Sequence, residues 1–452
     1  MKSLILLSTL ALLPAIGSSA TIHVPDDYPT IQGAIDASVN GDVIIVRPGV
    51  YVENIDFVGK ALVVKSERGA PVTAIDGNQA GSVVTFENEE GPDSILSGFT
   101  ITNGSPQGAN GGGVNCVGSS PRIGKNTITK NSVGSRGGGI YCTDGSPVIV
   151  DNVISKNTSE RGGGGICCEN CSPLIKNNIV SGNHTGPLGN GGGIYCSLSI
   201  ATISNNIIID NTSSDFGGGI FNSLSSPSII TNNTIVGNFS SFGGGGIRSE
   251  SSTIVNTIFR SNTPNQISGS ATVAYCNVQG GWPGTGNIDA DPLFAGAGHD
   301  DYHLTWDSPC RHAGENSSVI EADDFEGDPR IVGGSVDMGA DEFYYHLYHT
   351  GSVLPGNTID VKIIGYPQAP VSLAWGQTIL DPPISTQQGD LHIWPFVWSG
   401  FIGNVQSTGV LVRPVTIPST WQSGDGAPLQ ALVGPWGGGW ARLTNLDEVT
   451  VD

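Results

Sequence analysis

The chain has 452 residues, 66 of them glycine, and carries a formal charge of −21 from 40 acidic against 19 basic residues. That balance excludes a nucleic-acid partner or an anionic membrane surface, both of which need clustered positive charge. Glycine at this level would mean disorder were it not periodic. The charge is uneven: Val114 to Asn262 holds 9 basic and 7 acidic residues, a balance of +2, which leaves −23 for the rest.

At the start, Lys2, the apolar stretch Leu4 to Ile16 and the small residues Ser18, Ser19 and Ala20 read as a signal peptide over residues 1–20. The protein is therefore expected to be secreted or at the cell surface. No later segment approaches the roughly 20 apolar residues of a membrane span. Thr30 to Val39 places Ile31, Ala34, Ile35 and Val39 on one helical face, as expected of a helix capping the open end of a solenoid. Residues 21–110 hold this cap and irregular first coils, at Val43 to Val46, Ala61 to Lys65, Ser82 to Phe86 and Ile95 to Thr102.

Residues 111–290 are the regular part. Glycine runs end in Val114, Ile140, Ile166, Ile194, Ile220 and Ile247, spaced 26, 26, 28, 26 and 27 residues apart. A fixed period of this size means stacked units that share a core. Each unit carries three short strand signals and no helical period, so the fold class is all-β, a right-handed parallel β-helix. The second signal runs through Ile123, Ile149, Ile175, Ile203, Ile229 and Ile254, the third through Ile128, Ile154, Val180, Ile208, Ile235 and Ile258, all expected to point inward. Asparagines recur at Asn126, Asn152, Asn178, Asn206 and Asn233 and at Asn131, Asn157, Asn183, Asn211 and Asn238, marking turns whose amides form ladders.

Cys116, Cys142, Cys168 and Cys196 fall in one inward column. Disulfides between rungs and reduced apolar filling are both compatible with that spacing; zinc is disfavoured because stacked thiols lack its tetrahedral arrangement. Cys167 with Cys171 and Cys276 with Cys310 are further candidate pairs.

On the outward face, the residues following each glycine-run aliphatic are Asn115, Tyr141, Cys167, Tyr195, Phe221 and Arg248. Tyr141, Tyr195, Phe221 and Arg248 are the candidate ligand-binding residues, since a row of rings along a β-helix suits a glycan. Rings covered by adjacent loops are the other reading. Asp144, Asp151, Glu169 and Asp210 do not recur at matched positions, which weakens a two-carboxylate hydrolase. Lys130 and Lys156 share a repeat position, where a lyase base or a solvated flank are the two readings.

Residues 291–343 form an acidic cap: Asp289 to Glu342 holds 14 acidic residues against Arg311 and Arg330. Asp323, Asp324, Glu326 and Asp328, around Gly327, supply hard oxygens of the kind calcium takes; a solvated acidic turn is the plainer reading. Residues 344–452, with six of the eight tryptophans, read as a small C-terminal β-sandwich.

Three segments resemble known families. Ile207 to Phe221, with Gly217, Gly218, Gly219 and Ile220, is similar to the repeats of polymorphic outer-membrane proteins, β-helical adhesins that usually carry alanine at the third glycine. Tyr28 to Ile55, with Thr30-Ile31-Gln32, Gly41-Asp42 and Pro48 to Tyr51, resembles the start of pectin methylesterases and other pectate-lyase-like β-helices, whose catalytic glutamine and aspartate motifs have no match here. Asp291 to Phe294, Asp301 to Leu304, Ser308 to Cys310, Gly327 to Arg330 and Asp337 to Phe343 resemble the end of secreted bacterial β-helix proteins of the choice-of-anchor Q type, which implies an exported bacterial protein. The expected function is a non-catalytic scaffold binding a polysaccharide or cell-surface component; the alternative is a polysaccharide lyase or related carbohydrate enzyme assisted by calcium.

Overall fold

A computed structural model describes residues 19–343, apart from 224 and 297–300, and beyond them the backbone of strands between 347 and 450. The leader expected over residues 1–20 lies outside the described residues except for Ser19 and Ala20. The repeats form a parallel β-helix of three long sheets. Sheet I has 11 strands from Thr21–Val24 to Thr272–Ala274, sheet II has 10 from Gly49–Val52 to Asn277–Val278, and sheet III has 9 from Ile55–Asp56 to Ile267–Gly269. A fourth sheet of five two-residue strands, Ser132–Val133 to Phe239–Ser240, lines the corner before the last five of the six glycine runs.

Glycine is needed at that corner for two reasons. Gly137 has φ 72°, and a Cβ on Gly138 would stand 2.5 Å from Gly164 O in the next coil, a distance no side chain tolerates. The rungs pair in register, Ile140 with Ile166 and Cys142 with Cys168, so alternate residues stack in a continuous core whose aliphatics are fully buried.

Two positions in these columns differ from expectation. Ile203 pairs with Ile230, which is buried, while Ile229 is 48% exposed. Ile235 pairs with Phe259, which fills the interior, so Ile258 faces outward. Each is a slip of one residue, which exchanges inside for outside because side chains alternate along a strand.

The asparagine ladders are buried and continuous. Asn152 Nδ2 donates to Asn178 Oδ1 at 3.0 Å, Asn178 to Asn206 at 3.0 Å and Asn206 to Asn233 at 3.0 Å. The second ladder runs from Asn131 to Asn262, one rung beyond the recurrence read from the sequence. All eight cysteines are free and buried, so neither Cys167–Cys171 nor Cys276–Cys310 is bonded.

Helix α1 (Ile31–Ala37) buries Ile31, Ala34 and Ile35 and touches the strands Thr21–Val24, Val43–Val46 and Ile55–Asp56. Thr30 Oγ1 accepts from Gly33 N–H, the Glu53 carboxylate accepts from Ile31 and Gln32 N–H, and Lys60 Nζ donates to Ile35 and Asp36 carbonyls. An anion at the first turn and a cation at the last suit the helix dipole.

Beyond the coils, Phe294–Gly296 pairs antiparallel with Asp301–Leu304, and the chain then folds back along the flank of the solenoid as a strap. It docks on the corner between sheets I and II. Glu315 N–H donates to Asn256 Oδ1 at 2.7 Å, Ala340 N–H to Thr234 Oγ1 at 3.0 Å, and Asn205 Nδ2 to Asp323 O at 2.9 Å, while Glu321 pairs with Lys176 at 2.6 Å. The outward Ile258 packs with Leu304, Cys310, Met338 and Phe343 beneath it. Between 347 and 450 the strands form two antiparallel sheets, of three and five strands. The tryptophan side chains of this region lie outside the described residues.

Candidate functional site

Sheet III presents the outward row in register: Asn115, Tyr141, Cys167, Tyr195, Phe221 and Arg248. Its members do not share one environment. Tyr141 is 7% exposed: its hydroxyl crosses to the next coil and donates to Glu169 Oε2 at 2.8 Å, and Cys167, the member in that coil, is fully buried. Burial and the Glu169 carboxylate together push the Tyr141 phenol well above its ordinary range. Tyr141 is therefore part of the wall rather than an open contact.

The other three sequence-predicted residues are half-buried. Tyr195 and Phe221 stack at 5.4 Å with an interplanar angle of 4°, one rung apart. Arg136, which pairs with Glu169 at 2.6 Å, lies 6.0 Å from the Tyr195 ring. Arg248, paired with Glu250, lies 5.3 Å from the Phe216 ring, and Phe216 meets Phe242 at 5.8 Å. Phe242 is 69% exposed. Arg136, Phe216 and Phe242 precede the glycine runs and lie in the corner outside the strands, where the alternation of inward and outward residues does not reach. Their signal is the repeat itself: Arg136 and Gly162, and Phe216 and Gly243, are paired rung to rung.

The four acidic candidates for a metal separate. Asp324 is fully buried, its Oδ1 accepting from the backbone N–H of Glu326, Gly327 and Asp328 at 2.9–3.0 Å and its Oδ2 from Glu342 N–H at 2.9 Å. This carboxylate folds the strap tip. Glu326 turns instead to His303 Nε2, at 2.9 Å, and His303 Nδ1 meets Asp301 at 2.6 Å. Burial works against an imidazolium there, but the two carboxylates outweigh it and raise the His303 pKa well above its ordinary value. Asp323 and Glu326 line a groove of about 470 Å³ between the strap and the coil flank, opposite Asp151 and Asn177. Lys130 and Lys156 are exposed. Among the described residues, neither lysine appears in an ion pair with a carboxylate, as Lys176 does with Glu321.

Among the described residues, two His-carboxylate groups bring three ligand atoms within 4.8 Å of one another: His303, Glu326 and Asp341, and His312, Asp337 and Glu342. The second is committed to backbone: Asp337 accepts from His312 and Phe343 N–H, and Glu342 from Val332 and Asp337 N–H. No helix among the described residues is long and apolar enough to cross a membrane.

No curated protein matches the chain. Among solved structures, the crystal structure of pectate lyase Pel9A is similar to it at 15% identity and a TM-score of 0.38, covering 73% of this chain and 98% of that one. The family model described as periplasmic copper-binding protein (NosD) matches residues 35–288, more than half of the sequence, and the chain, with its parallel β-helix across that span, belongs to this family.

Proposed function

We propose that this protein is an exported, non-catalytic scaffold that binds a glycan or similar cell-surface component on the outward face of sheet III. The observation that carries the reading is the group formed by Tyr195, Phe221, Phe216 and Phe242 with the two arginines beside it. Rings give apolar area at small entropic cost, and the Arg136–Glu169 and Arg248–Glu250 pairs add donors and acceptors beside them, with Arg136 over the Tyr195 ring and Arg248 over the Phe216 ring, a mixture suited to a polyhydroxylated ligand. The two lysines considered as lyase bases, without an ion-pair partner on an exposed flank, favour binding over elimination chemistry. Export accords with the leader expected from the sequence and with the periplasmic description of the family. Helix α1 acts as the cap of the first coil.

The test is a glycan array with the purified mature protein, run with calcium and with chelator, followed by absorbance monitoring for unsaturated products. Binding without product, weakened at least about fivefold by Phe242→Ala, is expected; about 1 kcal/mol is a modest share for one ring. Product formation, or binding indifferent to Phe242→Ala and Phe221→Ala, overturns the reading.

The family is described as copper-binding, and the donors of this chain differ in how well they suit that metal. Methionine, a soft donor, occurs twice, as Met1 and the buried Met338. The His-carboxylate groups are hard or intermediate donors already engaged in the strap. The soft set that suits Cu(I) is the column of buried thiols.

A further inference from the structure

The outward face of sheet III is two columns wide. Tyr141, Cys167, Tyr195, Phe221 and Arg248 make the first. Two residues further along the same coils, and so on the same face, stand Thr143, Glu169, Ser197, Ser223 and Glu250. The two middle rungs are therefore uncharged, Tyr195 with Ser197 and Phe221 with Ser223, all four half-buried. The flanking rungs carry arginine–carboxylate pairs closed on themselves: Glu169 holds Arg136 at 2.6 Å before the two rings, and Glu250 holds Arg248 after them. Charge around the face is nearly balanced. With Glu160, Arg161 and Asp215 of the corner that precedes the strands, three arginines (Arg136, Arg161, Arg248) meet four carboxylates (Glu160, Glu169, Asp215, Glu250). The first column ends in Ser268, one rung beyond Arg248. Its Oγ, and Arg136 Nε toward the other end, are covered without a hydrogen-bond partner, and a buried polar group left so calls for a reason.

We propose that the ligand of this face is a neutral, extended β-linked glycan lying along the solenoid axis, not an acidic polysaccharide; the inference rests on the glycan reading above. An acidic sugar is recognised by an arginine fork free to turn to its carboxylate or sulfate. Here the two forks on the strand face already meet glutamates, and an anion drawn in between would leave a partly covered glutamate facing it. Arg161, exposed at the corner, is offset in charge by Glu160 and Asp215. Sugar hydroxyls bring no charge and both donate and accept. They suit the Ser197 and Ser223 hydroxyls beside the Tyr195 and Phe221 rings, and they supply partners to Arg136 Nε and Ser268 Oγ once either side chain turns outward. The direction follows from the repeat. Rungs of parallel sheet recur at about 4.7–4.9 Å, close to the advance of one sugar in a chain linked through equatorial oxygens, so successive sugars meet successive rungs. The rung of Glu169 and that of Glu250 are three such steps apart, about 14 Å, which is room for about three sugars.

The experiment is calorimetric titration of the full mature chain with β-1,4-linked glucose, mannose and xylose oligomers of increasing length, and with galacturonate oligomers of the same lengths, at low and at high salt. Affinity for a neutral series is expected to rise at least about tenfold from the dimer to the tetramer and then to level off. It should exceed affinity for the acidic series by about tenfold or more and change less than about twofold with salt. Glu250→Gln frees Arg248, so this variant should bind galacturonate oligomers at least about fivefold more tightly than wild type does, and less so at high salt. A wild type that prefers the acidic oligomers, or whose affinity is indifferent to chain length or falls with salt, overturns this inference; if Phe221→Ala weakens that binding, the sheet III site itself still stands. Neutral binding unmoved by Phe221→Ala overturns both the inference and the proposed function. Absence of binding to either series overturns the inference, and a glycan array that is also empty takes the proposed function with it.

Discussion

Replacing Asn178 by alanine probes how much of the solenoid rests on its internal amides. Asn178 Nδ2 donates to Asn206 Oδ1 at 3.0 Å, Ile149 O at 2.9 Å and Lys176 O at 2.8 Å, and Oδ1 accepts from the backbone and side-chain nitrogens of Asn152, both at 3.0 Å. Truncation removes all five. The Asn152 side chain keeps Ile123 O and Val150 O, and Lys176 O keeps the Asp151 N–H. The buried Asn152 N–H loses its acceptor and Ile149 O loses a donor. Ile149 O keeps its place in the parallel ladder with Lys176, so at about 1–3 kcal/mol for a buried group left unsatisfied the orphaned Asn152 N–H sets a cost of about 1–3 kcal/mol. Asn178→Asp keeps the volume but turns an oxygen toward three acceptors, Ile149 O, Lys176 O and Asn206 Oδ1, and buries a charge, so it costs more than alanine at neutral pH. Urea unfolding followed by circular dichroism, with amide exchange across residues 150–210, measures both variants against Ser172→Ala on the surface. A cost below about 1 kcal/mol for Asn178→Ala, or an aspartate no worse than alanine, would refute the assignment of coil register to these ladders.

Ile230→Asp places a charge in the core and should prevent folding, whereas Ile229→Asp should change stability by less than about 0.5 kcal/mol; expression and melting temperature separate the two. Arg330 is fully buried and donates to Ala340 O and Asp337 O, so Arg330→Met strands the carboxylates around it at a cost of about 3 kcal/mol or more, seen as protease cleavage between residues 305 and 343. Burial raises Glu342 from 4.5 to about 8, and His303 is raised as well. A group raised on folding stabilises fully below its unfolded pKa and ceases to do so as pH passes its folded value, so the strap should loosen as pH rises, with the Glu342 part lost between about pH 4.5 and 8; the melting temperature should fall across that range in wild type and less steeply in Glu342→Gln. All eight thiols are buried, so a thiol reagent should titrate none in the native protein and eight in denaturant.

The period, the three strand signals, the glycine corner and both asparagine ladders were legible because each is a local pattern repeated without interruption. What failed was what a neighbour decides. Ile229 and Ile230 are adjacent aliphatics in a 27-residue coil, and only pairing with Ile203 settles which faces in. Ile258 is apolar because the returning strap covers it, a contact made by residues more than forty positions later in the chain. The dense acidic run around Asp324 was compatible with a coordination loop and, more plainly, with a solvated turn; in place, Asp324 is buried and its oxygens meet four amide hydrogens. Tyr141 shares its repeat position with Tyr195, yet Glu169 in the following coil draws it under cover. Phe242, the one exposed ring of the outward aromatic group, and its neighbour Phe216 lie in the least regular part of the repeat.

The strap also changes how the molecule should come apart. A plain solenoid is coupled only between neighbours, so it frays from an end one coil at a time. Here one segment is tied to Lys176, Asn205, Thr234 and Asn256, which belong to four successive coils. Losing the last coil requires releasing the strap from all four, and the strap can bind only after they have stacked. The C-terminal half of the β-helix therefore opens and closes as a block, with docking of the acidic segment as its final latch, while the coils before Asp151 retain the gradual fraying of an ordinary repeat.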